Sequence, residues 1–288
     1  MAGSAAARHD AVMSTPLPLA RPPRHPHAWL ALLAVSQVLA LIVWWQWGWR
    51  IGLPVFMASH LPFWWGTLWP QSRLFCPVLT CLPTNERVVW LTIDDGPSSQ
   101  TLAMLDLLDG HRATATFFVV GERAAAHPEL VREIVRRGHG IGNHSETHPE
   151  RWFWALPPGQ MRRQVERTQA ILQGITGVRP RWFRAVVGMA NPFLASALKR
   201  CDLTRVAWSA RGFDAVVADP HDVVKGIEAN LAPGAIVLMH EGATHGHNLD
   251  GMALLLQRLD ALGYRTVLPE QLEMPASDPR AVETSQAV

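Results

Sequence analysis

The stretch that most restricts how this chain folds is Leu91-Thr92-Ile93-Asp94-Asp95-Gly96-Pro97. Val88 to Ile93 is apolar apart from Thr92, mostly β-branched or aromatic, and bounded by turn residues, which reads as a buried strand. The strand ends in two adjacent carboxylates and a Gly-Pro turn. Two ionised carboxylates side by side repel each other and are costly to desolvate unless a cation compensates them. By itself Asp-Asp-Gly also fits an ordinary solvated turn. The rest of the chain adds two spaced histidines, an arginine and a late histidine, and together these point to one hydrolytic metal site.

At 288 residues the chain is long enough for a sizeable α/β core with an appendage. A formal net charge of +2 with 17% charged residues carries no nucleic-acid signature. Residues 1–27 are rich in Ala, Pro, Arg and His without an apolar period and read as a disordered tail, as does 271–288. From Ala28 to Trp47 no charged residue occurs, matching the roughly 20 residues that cross a bilayer. No small-residue cleavage site follows this run, which favours a membrane helix over a secretory signal. A second uncharged run, Ile51 to Trp69, is broken by Gly52, Pro54, Pro62 and Gly66 and is a weaker span or an interfacial segment. Tryptophans cluster at the ends of both runs, as aromatic belts do.

Residues 28–70 are therefore expected to form a membrane segment of one or two spans, with 71–87 as a connector. The expected location is the cell (inner) membrane. Arg21 and Arg24 favour a cytoplasmic amino terminus. One span then puts the large domain outside, and two return it to the cytoplasm. Cys76 and Cys81 are close enough to pair in an oxidising compartment, but with Cys201 the count is odd and free thiols fit equally well.

From Val88 onward, strand and helix patterns alternate to the end of the chain. Strands are expected at 88–93, 114–120, 182–184, 204–208, 235–240 and 265–268, with helices between them. Such alternation implies parallel strands with helices outside, an α/β barrel or open sheet, in which chemistry collects at the carboxyl ends of strands. Asp94, Asp95, Arg184, Asp214 and His240 stand at such ends. His144-Ser145-Glu146-Thr147-His148 spaces two imidazoles four residues apart, on one face if the segment is helical. With one carboxylate of the Asp pair they make a two-His, one-Asp set that suits zinc or a neighbouring divalent metal. Trp152-Phe153-Trp154 fits a substrate wall, a membrane-facing lip or core packing. His245 and His247 read as solvated loop histidines.

Thr92-Ile93-Asp94-Asp95-Gly96, His144-Ser145-x-x-His148, Phe183-Arg184 with Gly188, Trp208-Ser209 with Asp214, and Leu238-Met239-His240 occur in this order. The set resembles the polysaccharide deacetylases of the NodB-homology, carbohydrate-esterase-four family, over roughly residues 88–270. The resemblance implies a distorted, incomplete (β/α) barrel. It implies Asp94 as general base, with Asp95, His144 and His148 as metal ligands. Zinc is the first expectation, and cobalt, manganese or nickel are alternatives. It further implies that Arg184 holds the base carboxylate, that His240 acts as general acid paired with Asp214, and that Leu238 lines the acyl pocket.

Three features depart from the family pattern. Ala185-Val186-Val187 follows Arg184 in place of Pro-Pro-aromatic, although Val187 still offers an oxyanion-hole N–H. Ala215 stands where a tryptophan is usual, and Arg211 where an acidic residue is common. The expected activity is removal of an acyl group, most simply acetyl, from an N-acylated amino-sugar or glycan. The alternatives are deformylation or deacylation of a lipid-linked sugar, and a catalytically silent carbohydrate- or metal-binding membrane protein.

Overall fold

In a computed structural model of the chain, residues 28–272 are described. The expected tails, apart from the last two of these residues, lie outside that range, as do Arg21 and Arg24. Three helices come first: α1 (Ala28–Trp47), α2 (Trp49–Ala58) and α3 (Leu61–Leu68). With 20 residues α1 is about 30 Å long, the thickness of a bilayer's hydrocarbon core. Among the described residues it is the one helix long and apolar enough to cross a membrane. Pro54 inside α2 and Pro62 in the first turn of α3 accompany short helices of 10 and 8 residues, so the second uncharged run does not form a second full span. Gly52 lets α2 fold back tightly on α1, since a Cβ there would meet the Trp44 Cα at 2.5 Å.

The remaining elements alternate as their apolar patterns require. They are β1 (Val88–Gly96), α4 (Thr101–Gly110), β2 (Ala115–Val119), α5 (Gly121–Ala126), α6 (Pro128–Arg136), β3 (Gly140–Asn143) and α7 (Pro158–Thr176). Then follow β4 (Trp182–Phe183), α8 (Leu194–Cys201), β5 (Thr204–Arg205), β6 (Ala210–Arg211), α9 (Pro220–Glu228), β7 (Ala235–His240), α10 (Asn248–Ala261) and β8 (Arg265–Thr266). All strand pairs are parallel. The sheet runs β5-β4-β3-β2-β1-β7-β6, with β8 beside the start of β1. This is the incomplete α/β barrel the sequence implies, open between β5 and β6.

β1 is central because its alternating side chains serve two cores. Val89, Leu91 and Ile93 pack beneath the outer helices with Met104, Phe117 and Leu255. Val88 and Trp90 point to the inner face, against Phe118, Trp182 and Ile236. Thr92 and Asp94 continue that inner face, so the pleat that buries Trp90 also delivers Asp94 to the barrel interior.

The 71–87 segment packs into the barrel. Phe75, Cys76, Val78, Leu79 and Leu82 are buried. Leu79 bridges Val206 just past β5, and Cys81 bridges Ala235 at the foot of β7. Cys76 is buried and Cys81 exposed, both as free thiols. Leu82→Ala should therefore destabilise the fold by about 2–5 kcal/mol, as for a core leucine, read as a lowered Tm of the detergent-solubilised chain. A change within about 0.5 kcal/mol, the range of surface substitutions, would mean that this segment only tethers.

Candidate active site

Consecutive strand residues point to opposite faces, yet Asp94 and Asp95 reach the same cleft. The backbone explains this. Asp95 adopts a left-handed conformation, φ 71°, and the register with β2 slips between Asp94 and Gly96. Asp94 itself is buried beside a fully buried Arg184. The Arg184 guanidinium donates from Nη1 to Asp94 Oδ1 at 2.8 Å and to Thr92 Oγ1 at 2.7 Å, and from Nη2 to the Ala207 carbonyl at 3.1 Å. It also lies 4.2 Å above the Phe118 ring. Burial pulls the Arg184 pKa below its ordinary value despite the opposing Asp94 charge.

His144 and His148 do not converge through helical spacing. His144 leaves the end of β3, and the chain loops through Ser145 (φ 70°) to His148 (φ 50°). Side chains hold the loop. The Ser145 N–H donates to Asn143 Oδ1, and the Glu146 and Thr147 N–H groups donate to Gln164 Oε1 on α7. His144 Nδ1 pairs with the Arg184 carbonyl at 2.9 Å, which turns its Nε2 toward Asp95. His148 Nε2 and His144 Nε2 stand 3.0 and 3.5 Å from Asp95 Oδ1.

That oxygen is buried and has no well-aligned hydrogen-bond donor. The three atoms that could ligate an ion lie within 4.8 Å of one another. A tetrahedral zinc site with bonds of about 2.1 Å separates its ligands by about 3.4 Å, so this donor set fits a divalent ion. Burial pushes the Asp95 carboxyl up, but the two imidazoles outweigh it and hold it well below the usual carboxylate range. Burial likewise pushes His144 down, and the charges of Asp94 and Asp95 overcome this and raise it.

Opposite stands His240, in register with Asp94 across β1 and β7. Its Nδ1 pairs with Asp214 Oδ1 at 2.9 Å, and its backbone N–H donates to Asp214 Oδ2 at 2.7 Å. Burial pushes the imidazole down, but the Asp214 charge and hydrogen bond, helped by Asp94 and Asp95, push it up to about 9. Leu238, two residues earlier on the same face, and Val187 line the same cleft of about 640 Å³. Val187 is a β-branched residue at φ 51°, a strained conformation.

The structure thus brings all nine expected site residues together. It also adds others. His245 is not simply a solvated loop residue, because its Nε2 bonds to the Asp214 carbonyl at 2.8 Å, while Asn248 Nδ2 donates to the same oxygen at 3.1 Å. Buried Glu241 accepts from the Ser98 and Thr101 hydroxyls at 2.8 and 2.6 Å, tying the β1 turn to the end of β7. Arg123 donates to the Asp95 carbonyl. Nothing in the spacing of Arg123 marks this role, whereas Glu241 could have been suspected from its place beside His240.

Fold and cleft define an α/β half-barrel with a His/Asp cluster that could hold a metal ion at the carboxyl ends of its strands. Residues 82–206 match the polysaccharide deacetylase family model. A chitooligosaccharide deacetylase from a Bradyrhizobium species is 36% identical over 165 residues, 57% of this chain and 74% of that protein. The solved Bc1960 peptidoglycan N-acetylglucosamine deacetylase has a TM-score of 0.62 and 30% identity, covering 69% of this chain and 94% of that one. A mutant of BA3943, a CE4 family pseudoenzyme with restored enzymatic activity, has a TM-score of 0.60 and 26% identity, covering 66% and 68%. The chain belongs to the polysaccharide deacetylase family, hydrolases that act on carbon–nitrogen bonds.

The cluster geometry makes a direct prediction. The purified chain should bind zinc with a stoichiometry near one, read by elemental analysis after dialysis, and Asp95→Ala or His148→Ala should lose it. Retention of zinc by both variants would remove the cluster as its site.

Proposed function

We propose that this chain is a membrane-anchored, metal-dependent hydrolase that removes an acyl group, most simply acetyl, from an N-acylated amino-sugar. One juxtaposition supports this reading above all others. The Asp95-His144-His148 set, the Arg184-held Asp94 carboxylate and the Asp214-held His240 imidazole open on one cleft. The relatives' substrates, chitooligosaccharide and peptidoglycan N-acetylglucosamine, make an N-acetylglucosamine unit the first assignment. Zinc is the ion we assign to the two imidazoles and one carboxylate, with cobalt, manganese and nickel as alternatives. When bound, such an ion supplies Lewis acidity to water and to the acyl carbonyl.

The chain's own groups handle the protons. Arg184 fixes Asp94 through Oδ1 and leaves Oδ2 to take a proton from the attacking water. The water oxygen bonds to the acyl carbon, and the Val187 backbone N–H donates to the negative charge that develops on the carbonyl oxygen. An amine is a poor leaving group, so the carbon–nitrogen bond breaks only as the nitrogen is protonated. His240 delivers that proton from Nε2, because its Nδ1 is held by Asp214. The acid and the free amino-sugar leave. Leu238 bounds the pocket for the small acyl group. The length and apolar surface of α1 support its assignment as the anchor.

Asp94→Asn and His240→Ala should each lower amine release from N-acetylated oligosaccharides by about 10²–10⁴-fold in the detergent-solubilised, metal-loaded chain. Asp94→Asn should keep its metal, so a silent binder would be revealed by unchanged ligand affinity and no wild-type turnover. The pH profile has a definite sign. His240 must be protonated to act, and its pKa is raised from 6.5 to about 9, so the competent form is full at neutral pH and is lost as pH rises. Asp214→Asn should move that alkaline limb of kcat/KM to lower pH. A limb that stays in place would show that Asp214 does not hold this proton.

A further inference from the structure

Among the described residues after Trp69, six large apolar side chains are exposed: Leu102, Trp152, Val178, Val187, Phe213 and Val216. Three of them, Val187, Phe213 and Val216, are 57, 50 and 78% exposed and line the mouth of the active-site cleft. Phe213 is held there at φ 60°, a conformation a bulky residue rarely takes, so its display is imposed by the fold. Apolar surface of this kind at a cleft mouth marks what the cleft receives.

A cation stands within this apolar rim. Arg211 lines the cleft, is half-buried, and among the described residues its side chain makes no hydrogen bond or ion pair; its guanidinium lies over Phe213 at 3.8 Å and Trp208 at 5.2 Å. Burial alone lowers its pKa. The carboxylates of the cleft are engaged elsewhere, Asp94 with Arg184, Asp95 with the imidazoles, Glu150 with His148 and Glu241 with Ser98 and Thr101. Arg211 pairs with Leu238, two residues before His240 on β7, about 7 Å along the strand. Arg211 and His240 thus stand on neighbouring strands and line one cleft.

The same wall touches the segment that leaves the apolar helices. Gln71 Nε2 donates to the Trp208 carbonyl at 2.9 Å, and the Ala190 N–H donates to the Thr67 carbonyl at 3.0 Å. Pro70 packs on Gly188, where a Cβ would approach it to 2.6 Å. Buried Arg205 joins the two by donating to the Pro70 and Gly188 carbonyls at 3.0 and 2.8 Å. Trp154 packs on Trp64 of α3 at 5.4 Å. The cleft mouth thus opens beside the membrane segment.

We propose that the substrate is an N-acyl amino-sugar joined through a phosphate to a membrane-resident apolar chain, with Arg211 receiving the phosphate and Val187, Phe213 and Val216 the first carbons of the chain. This rests on the reading of the cleft as an N-acyl sugar hydrolase. The charge supplies specificity for the phosphate, because a guanidinium pairs two oxygens of a phosphate at once. The rim and the juxtamembrane packing select a lipid over a free sugar phosphate.

The test uses the full chain in detergent micelles, metal-loaded, and four forms of N-acetylglucosamine: the dodecyl phosphodiester, the methyl phosphodiester, the octyl glycoside and the methyl glycoside. Amine release gives kcat/KM for each. Wild type should prefer each phosphodiester to its glycoside, and Arg211→Gln should reduce that ratio by at least about tenfold, the worth of a charge-assisted contact. The double variant Phe213→Ser/Val216→Ser should reduce the dodecyl-to-methyl ratio instead. Equal wild-type turnover of phosphodiester and glycoside, or a ratio untouched by Arg211→Gln, overturns the phosphate site. A methyl phosphodiester as good as the dodecyl one overturns the lipid assignment. Calorimetric binding of the dodecyl phosphodiester to Asp94→Asn, with and without Arg211→Gln, separates the two claims. Arg211-dependent binding without any wild-type turnover would sink the hydrolase reading and keep the site, and turnover without Arg211-dependent binding would do the reverse.

Discussion

The buried pair of Arg184 and Asp94 is the interaction on which the rest of the site depends. Removing one partner of such a pair leaves an uncompensated charge in the interior, typically a loss of about 3–5 kcal/mol. Here the guanidinium does more than neutralise Asp94. It holds Thr92 on the same face of β1 and reaches the Ala207 carbonyl beyond β5, while its own backbone carbonyl orients His144. One residue thus links β1, the His loop and the far edge of the sheet. Asp94 and the Asp95-His144-His148 cluster cannot shift independently.

Around this pair the fold stores strain. Of the seven non-glycine residues at positive φ among the described residues, Asp95, Ser145, His148, Val187 and Phe213 belong to the site or its rim. Each such residue costs of order 1–3 kcal/mol, and it persists only where the surroundings over-determine it. The surroundings do so here through Gln164 on the His loop, Arg205 and Pro70 behind Val187, and Glu241 against the β1 turn. The kink at Asp95 matters most. It turns an alternation that should separate two neighbouring carboxylates into one that gives them different tasks in a shared cleft.

The parts of this arrangement that the sequence reveals are those with long apolar runs. β1, β2 and β7 are nearly continuous stretches of buried side chains, and their ends located Asp94, Asp95 and His240 without coordinates. β6 is only two residues long and carries no period, whereas β4, equally short, is expected at 182–184. The spacing of His144 and His148 would bring them together on one face of a helix, but strand end, left-handed turns and the Gln164 clamp produce the convergence instead. The 71–87 segment read as a connector because Pro77 and Pro83 interrupt it. Its burial is fixed by partners more than 120 residues away in sequence, such as Val206 and Ala235, and no local pattern records such pairing. For the same reason the role of Arg123 could not be read.

We propose that Asp95, His144 and His148 hold a divalent ion while Asp94, one residue away, stays out of its coordination. X-ray absorption on the zinc-loaded chain tests this most directly. The expected spectrum shows two imidazole nitrogens and one or two oxygens at about 2.0–2.1 Å, unchanged in Asp94→Asn. A sulfur shell, loss of the imidazole scattering, or a first shell altered by Asp94→Asn would contradict it.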